Sequence, residues 1–146
     1  MLVRYNNGNS RWENIPLLAY KEEGGCFKDI TRQILFEGSG DIPCQLRYFE
    51  IASGGHSTLE HHEHLHLVVI VRGEGHVLVG DTIHSVREHD VMAIPAHAWH
   101  QFRATSDKPL GFYCIVNIER DRPARPSEDD LKSLRSKPEI AAFIRS

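Results

Sequence analysis

Short runs of β-branched and aromatic residues, separated by turn-forming residues, dominate most of the chain. The runs CQLRYFEIA at 44–52 and HLVVIVR at 66–72 are typical of strands, and Gly80-Asp81 separates two further runs as a two-residue hairpin would. Many short strands at this spacing favour a sandwich or barrel over alternating α/β units. We therefore predict an all-β fold whose core covers residues 30–118.

Helical patterns are confined to the C-terminal end of the chain. Ser127 precedes three acidic residues, as an N-cap followed by an acidic first turn would. A second helix start is predicted at Pro138, which is followed by apolar residues on one helical face. We predict a single domain over residues 1–146, with an N-terminal arm over 1–29 and a helical tail over 126–146.

Composition and charge exclude several classes of function. The formal net charge of −3 and the lack of a basic stripe argue against nucleic-acid binding. The one dense basic stretch, ERDRPARP at 119–126, is interrupted by acids and prolines, so we predict a solvated connector there. The chain has three cysteines, an odd number, and their spacing is not that of a metal site: Cys26, Cys44 and Cys114. This favours a protein of a reduced compartment over a disulfide-stabilised one. Without a signal or membrane-spanning pattern, we expect a cytoplasmic protein with no membrane partner.

The histidines are strongly clustered. All ten fall between positions 56 and 100, and five of them lie in one short segment, HSTLEHHEHLH. Every second residue of a strand points to the same face, so Glu60, His62, His64 and His66 would share one face. One carboxylate and three imidazoles on a single face are suitable ligands for a divalent metal.

Two further features bear on this candidate site. The segment PAHAWHQF places His97 and His100 beside a strand start, from which a neighbouring strand could supply another ligand. A competing register would instead pair His61 with Glu63, but it requires a β-bulge.

The spacing of these residues resembles the first sequence motif of the cupins, G-x5-H-x-H-x3–4-E-x6-G. Gly73 stands at the final glycine and His66 at the glutamate position. His62 then stands at the second histidine and Glu60 at the first. The ligand types match, but glutamate and histidine have exchanged places.

The second cupin motif, G-x5-P-x-G-x2-H-x3-N, resembles the segment HDVMAIPAHAWHQFRA. Pro95 and His100 stand at its proline and metal-binding histidine. The chain departs from the motif at both glycines, where it has His89 and His97, and at the asparagine, where it has Ala104.

The resemblance covers residues 30–118 and implies a double-stranded β-helix (jelly roll) with a metal at its open mouth. The implied metal ligands are Glu60, His62, His66 and His100. This set suits one divalent transition metal per chain, among Mn, Fe, Ni, Cu, Co and Zn. His64 has no counterpart in the motif, so we expect it beside the ligands or facing solvent.

Other residues are candidates for the lining of the cavity. Phe102 shares strand parity with His100, and Phe112 and Cys114 share a face that the cupin resemblance directs into the barrel. Cys114 could equally be an inert buried cysteine. Arg47 would be an anion binder if its side of the 44–52 strand faces inward, and the opposite side remains an alternative.

The resemblance implies metal-centred chemistry on a small organic substrate, since no side chain stands out as a dedicated acid or base. The leading hypothesis is a dioxygenase-type oxidoreductase. The alternatives are a non-redox metal-dependent isomerase or lyase and a non-catalytic small-molecule-binding protein, because one fold hosts many functions.

The outer face of the central predicted strand is apolar as well. Leu67, Val69 and Val71 lie on it, and a strand that is apolar on both sides must be covered on both. Cupins commonly dimerise through such faces, so we expect a homodimer.

Overall fold

The computed structural model describes residues 1–21 and 25–146. Within these residues the chain forms eleven β-strands and two short α-helices. The strands are β1 (Tyr5–Asn6), β2 (Arg11–Trp12), β3 (Leu18–Ala19), β4 (Lys28–Ser39), β5 (Ile42–His56), β6 (His66–Arg72), β7 (Glu74–Val79), β8 (Thr82–Arg87), β9 (Val91–Ile94), β10 (His100–Arg103) and β11 (Leu110–Asn117). The helices are α1 (Glu128–Leu134) and α2 (Pro138–Phe143). The predicted all-β fold with short C-terminal helices is confirmed.

One large antiparallel sheet curls around the core. Its strand order is β8-β7-β10-β5-β11-β6-β9, and β4 pairs with β5 while β3 pairs with β4. The longest strand, β5, has 15 residues and pairs with β4, β10 and β11. This arrangement brings the beginning of β6 and the beginning of β10 to the same region of the molecule.

Local sequence signals account for most of the element boundaries. The strand β6 spans the predicted range 66–72, and the predicted hairpin joins β7 to β8 through Gly80, whose φ of +61° suits glycine. The helix α1 begins after Ser127, which forms a capping box with Asp130. The N-terminal arm contains β1, β2 and β3, which the sequence did not predict.

Two histidines occupy the positions where the second cupin motif has glycine, and both have left-handed backbone conformations. The φ angles are +74° at His89 and +64° at His97. Glycine adopts such angles freely, whereas few other residues do. Both histidines therefore have backbone conformations that would suit the glycines of the motif.

The core consists of apolar side chains from the inner faces of the curled sheet. Ile51, Val68, Ile70 and Val77 are completely buried, and burying each such side chain stabilises the fold by roughly 1.5–3 kcal/mol. A second cluster packs α2 against the sheet through Ile140 and its neighbours. No helix in residues 1–21 or 25–146 is long and apolar enough to cross a membrane.

Candidate metal centre

Three buried imidazoles converge at one point of the barrel. The potential ligand nitrogens of His62, His66 and His100 all lie within 4.8 Å of one another. The ring centroid of His62 lies 4.5 Å from that of His66 and 5.0 Å from that of His100. His66 is the first residue of β6 and His100 the first of β10, so distant parts of the sequence meet here.

Backbone hydrogen bonds hold the segment before β6 against β10. Glu60 and His100 form an antiparallel bridge, with N–H···O distances of 3.2 and 2.9 Å. The N–H of His97, in the left-handed turn, donates to the carbonyl oxygen of His62 at 2.6 Å. Regular pairing begins only at His66, so the strand parity expected of positions 60–64 arises without a continuous strand. The segment nevertheless directs its even-numbered side chains into one cavity.

The competing register is wrong. Neither His61 nor Glu63 is among the described residues that line the cavity. The ring of His61 instead packs edge-on against Trp99, with centroids 4.3 Å apart, and Glu63 is exposed.

The hydrogen bonding of His62 and His100 fits a bound metal ion. Both ring nitrogens of His62 are buried without a hydrogen-bond partner, and leaving such a group unsatisfied costs about 1–3 kcal/mol. His100 Nδ1 lies 2.9 Å from the carbonyl oxygen of Ala98, to which its N–H donates, and this leaves Nε2 available to a metal.

Burial keeps these imidazoles neutral. Desolvation, reinforced by the neighbouring imidazoles, lowers the pKa of His62 to about 3 and also lowers the pKa of His66. Desolvation lowers the pKa of His100 as well, against an opposing effect of its hydrogen bond to Ala98. Metal ligation requires the neutral imidazole, so the three groups are in the binding form at neutral pH.

Glu60, the fourth predicted ligand, lies beside this group but outside it. Its carboxylate is buried, one oxygen forms an ion pair with Lys21, and the other lies 3.5 Å from His62 Nε2. Lys21 comes from the N-terminal arm and was not predicted as a site residue. Ligation by Glu60 remains a prediction, and its carboxylate is shared with a lysine.

His64 lies next to the three imidazoles and has a partner of its own. Its Nε2 is 3.0 Å from Nε2 of His66, and its Nδ1 hydrogen-bonds to Asp121. Although burial alone would raise it, the pKa of Asp121 is lowered to about 2 by hydrogen bonds from the Glu63 N–H and from His64. His62, His64 and Asp121 form a second group that could hold a cation.

The segment 119–126 connects β11 to α1 and most of its residues are exposed, as predicted, but it also contributes to the cavity. Ala124 exchanges two backbone hydrogen bonds with His61, at 3.1 and 3.0 Å, which fixes this segment beside the cavity. Arg120, Asp121 and Arg122 consequently line the cavity. The arginines of the segment were the available signal for this role, since a solvated connector can still place charged side chains against a cavity.

The cavity that adjoins the imidazoles has a volume of about 530 Å³. All five predicted cavity residues line it, namely Arg47, His64, Phe102, Phe112 and Cys114. The rings of Phe102 and Phe112 stack with centroids 4.3 Å apart and form an aromatic wall. Cys114 Sγ lies 3.6 Å from His66 Nδ1, and burial raises the pKa of this thiol.

The inward face of β5 is the one that carries Arg47. Arg47 and Phe49 face the cavity, whereas Tyr48 packs on the opposite side and donates to the Glu50 carboxylate at 2.6 Å. Arg47 Nη2 lies 3.1 Å from the sulfur of Cys114.

Cations outnumber carboxylates in the cavity wall, counted over the described residues. The cations are Lys21, Arg32, Arg47, Arg120, Arg122 and Arg125. The carboxylates are Glu60 and Asp121. Because the buried imidazoles are neutral, the described residues of the cavity wall carry a net positive charge, which suits an anionic ligand.

Comparison with known proteins identifies the family. The sequence model of the cupin domain matches residues 47–116. The structure of a cupin 2 conserved barrel domain protein from Rhodopseudomonas palustris superimposes with a TM-score of 0.92, at 44% identity and over 100% of both chains. The chain belongs to the cupin family, and the predicted jelly-roll fold is confirmed.

Two relatives have named activities. The 1-methylthio-D-xylulose 5-phosphate methylsulfurylase of Rhodospirillum rubrum is 52% identical over 135 residues, which are 92% of this chain and 86% of that protein. The 5-nitrosalicylic acid 1,2-dioxygenase of a Bradyrhizobium species is 36% identical over 75 residues, which are 51% of this chain and 34% of that protein.

Proposed function

We propose that this cupin is a metal-dependent enzyme that removes the methylthio group from a phosphorylated 1-thioketose, with 1-methylthio-D-xylulose 5-phosphate as the first candidate substrate. The observation that carries the proposal is the opening of a buried three-imidazole group onto a net positive cavity. The similarity to the Rhodospirillum methylsulfurylase over most of both chains supports the same substrate.

His62, His66 and His100 would hold the divalent metal. A bound divalent ion supplies a Lewis acid that polarises a ketone or enediol oxygen. Because the three imidazoles are neutral, they would leave the positive charge of a bound ion uncompensated, and that charge would stabilise negative charge on the substrate. We propose that the carboxylate of Glu60, which forms an ion pair with Lys21, modifies the net charge at the bound ion.

The proposed reaction balances with a small thiol as co-substrate. The bond between C1 and sulfur breaks, and its electron pair stays with C1, next to the ketone, where a proton from solvent is taken up. The methylthio group passes to the thiolate sulfur, and an S–S bond forms, as in attack of a thiolate on sulfur in thiol–disulfide exchange. The sugar is thereby reduced at C1, and the thiol is oxidised to a mixed disulfide.

The volume and the lining of the cavity suit such a substrate. Its volume of about 530 Å³ lies within the range of roughly 300–1,000 Å³ typical of small-molecule sites. The stacked rings of Phe102 and Phe112 offer an apolar surface for the methylthio group. The cationic residues offer a polar surface for the phosphate.

The experiment uses protein purified without a polyhistidine tag. Separate samples are loaded with Mn, Fe(II), Co, Ni, Cu or Zn and incubated with 1-methylthio-D-xylulose 5-phosphate and a small thiol, with oxygen present or excluded. The S-methyl signal is followed by proton NMR. Thiol-dependent loss of the methylthio group without oxygen supports the proposal, and no loss with any metal would overturn it.

Dioxygenase activity is the second candidate. The Bradyrhizobium dioxygenase supports it through the similarity across part of the barrel. The two functions differ in their need for oxygen, so oxygen uptake with catechols, enols and diketones distinguishes them. Dioxygenase activity would be favoured if oxygen uptake required Fe(II) and the thioketose phosphate were not converted.

A further inference from the structure

A group of arginines forms the cavity wall on the side of β4 and β5. Arg32 projects from β4 and Arg47 from β5, where Arg32 pairs with Phe49 and Ile34 pairs with Arg47. The two arginines are therefore diagonal neighbours on the same face of the sheet.

Arg120 reaches this wall from the segment after β11. One of its guanidinium nitrogens donates to the side-chain oxygen of Gln45 at 2.8 Å, and another donates to the carbonyl oxygen of Asn117 at 2.9 Å. Gln45 is buried and lies on the same face of β5 as Arg47. These neutral acceptors fix the orientation of Arg120 and leave its charge in place.

The positive charges on this wall lie close together. Burial lowers the pKa of Arg120, and the nearby charges of Arg47 and Arg32 lower it further. Among the described carboxylates of the cavity, Glu60 pairs with Lys21 and Asp121 with His64, so neither of them neutralises Arg47 or Arg120.

Arg47 retains a donor for a ligand. Its Nε is buried without a hydrogen-bond partner, while its Nη2 contacts Cys114. A guanidinium is planar and offers paired N–H groups, which match two oxygens of a phosphate. An oxyanion at this wall would satisfy the buried Nε and offset the crowded positive charges.

We propose that Arg47 and Arg120, with Arg32 beside them, form an anion subsite that binds the phosphate group of the substrate. Cys114 lies between this subsite and the imidazoles, since its sulfur contacts both Arg47 and His66. A ketose phosphate can thus place its phosphate on the arginines and its ketone at the candidate metal centre. The assignment of the anion as a substrate phosphate rests on the proposed function, whereas anion binding itself does not.

The test measures binding to metal-stripped protein by isothermal titration calorimetry. The probes are inorganic phosphate and D-xylulose 5-phosphate, with D-xylulose as the uncharged control. Arg47→Gln and Arg120→Gln should each weaken the binding of both phosphates by about tenfold to a hundredfold, the effect of losing one charge-assisted contact. Arg11→Gln, which alters an exposed arginine of β2, should leave binding unchanged.

Thermal unfolding of each variant shows whether the fold is retained, and Arg120→Lys keeps the charge if Arg120→Gln fails to fold. The lysine variant should bind phosphate more weakly than the wild type because it lacks the planar guanidinium. The subsite would be overturned if the wild-type protein bound neither phosphate. It would also be overturned if the folded variants bound both phosphates as tightly as the wild type does. If xylulose 5-phosphate binds through the arginines but the thioketose is never converted, the subsite stands and the proposed function fails. If the thioketose is converted equally well without Arg47 and Arg120, the proposed function stands and the subsite fails.

Discussion

The imidazole of His64 and the carboxylate of Asp121 are hydrogen-bonded to each other across 57 positions of the sequence. This contact turns the opposite nitrogen of the His64 ring toward His66, at 3.0 Å. A histidine whose Nδ1–H is held by a carboxylate has a fixed tautomer and a fixed ring orientation. His64 is therefore placed to orient and polarise its neighbours as well as to contact a ligand.

Replacement of His64 by alanine is expected to leave metal content nearly unchanged. The group of His62, His66 and His100 does not include it, so three donors remain. The measurement is elemental analysis of the purified variant, with Asp121→Asn as a companion that removes the partner of His64. A large loss of metal in both variants would assign the ion to the second group, which His64 and Asp121 share with His62.

Joint replacement of His62 and His100 by alanine should abolish metal retention. The variant keeps His66 alone from the buried group, and one imidazole does not hold a divalent ion against dialysis. His84→Ala is the matched control, since His84 is an exposed histidine of β8. Full metal occupancy in the double variant would refute the site, as would loss of metal in the control.

The metal-stripped protein should lose stability as the pH falls from about 6.5 toward about 3. Burial lowers the pKa of His62 from 6.5 to about 3, so in this window the unfolded chain binds a proton that the folded chain excludes. The stabilisation is complete above the pKa of the unfolded state and declines as the pH approaches that of the folded state. Each such imidazole lowers the free energy of unfolding by at most about 1.4 kcal/mol per pH unit.

Urea unfolding at a series of pH values measures this dependence, and His62→Gln should make it shallower because the variant has one fewer titrating imidazole. An equal pH dependence in the variant and the wild type would contradict the assignment.

Glycine at position 89 should be tolerated better than any β-branched residue. His89 has a φ of +74°, a conformation that costs a non-glycine residue about 1–2 kcal/mol. After allowing for the greater flexibility of the unfolded chain, His89→Gly should raise the free energy of unfolding by up to about 1 kcal/mol. His89→Val should lower it by more than about 1 kcal/mol. Urea unfolding of both variants is the check, and the reverse order would show that the loop relaxes freely.

We propose that the chain forms a homodimer through the outer face of β6 and β9. Val91 pairs with Val69, and Leu67 lies on the same face, with Leu67 36% and Val91 63% exposed. Sedimentation equilibrium should give twice the mass of the chain. The double variant Leu67→Lys/Val91→Lys should sediment as a monomer with its metal content intact, because these residues lie outside the cavity lining. A monomeric wild type would exclude the dimer.

The sequence predicted the parts of the site that belong to regular patterns. Strand parity selected Glu60, His62, His64 and His66, and all four line the cavity although regular pairing begins only at His66. Their convergence depends on backbone bridges, including the one between Glu60 and His100, that supply an extended geometry without a continuous strand.

The residues that the sequence did not reveal come from irregular segments. Lys21 lies in the N-terminal arm, and Asp121 lies in a proline-containing stretch that shows neither helical nor strand periodicity. Their positions depend on long-range contacts, such as the bridge between His61 and Ala124. No local pattern encodes such contacts, so the positive charge of the cavity wall could not be predicted from the sequence.

The bridge between His61 and Ala124 has a consequence for comparisons among cupins. It joins the stretch after β11 to the same backbone that presents the imidazoles, whereas the cupin domain match ends at residue 116. A protein that resembles this chain only within the barrel can thus share the histidine cluster without sharing this stretch. In this chain the stretch supplies Arg120, Asp121 and Arg122 to the cavity wall, so two cupins with the same imidazoles can differ in that part of the lining.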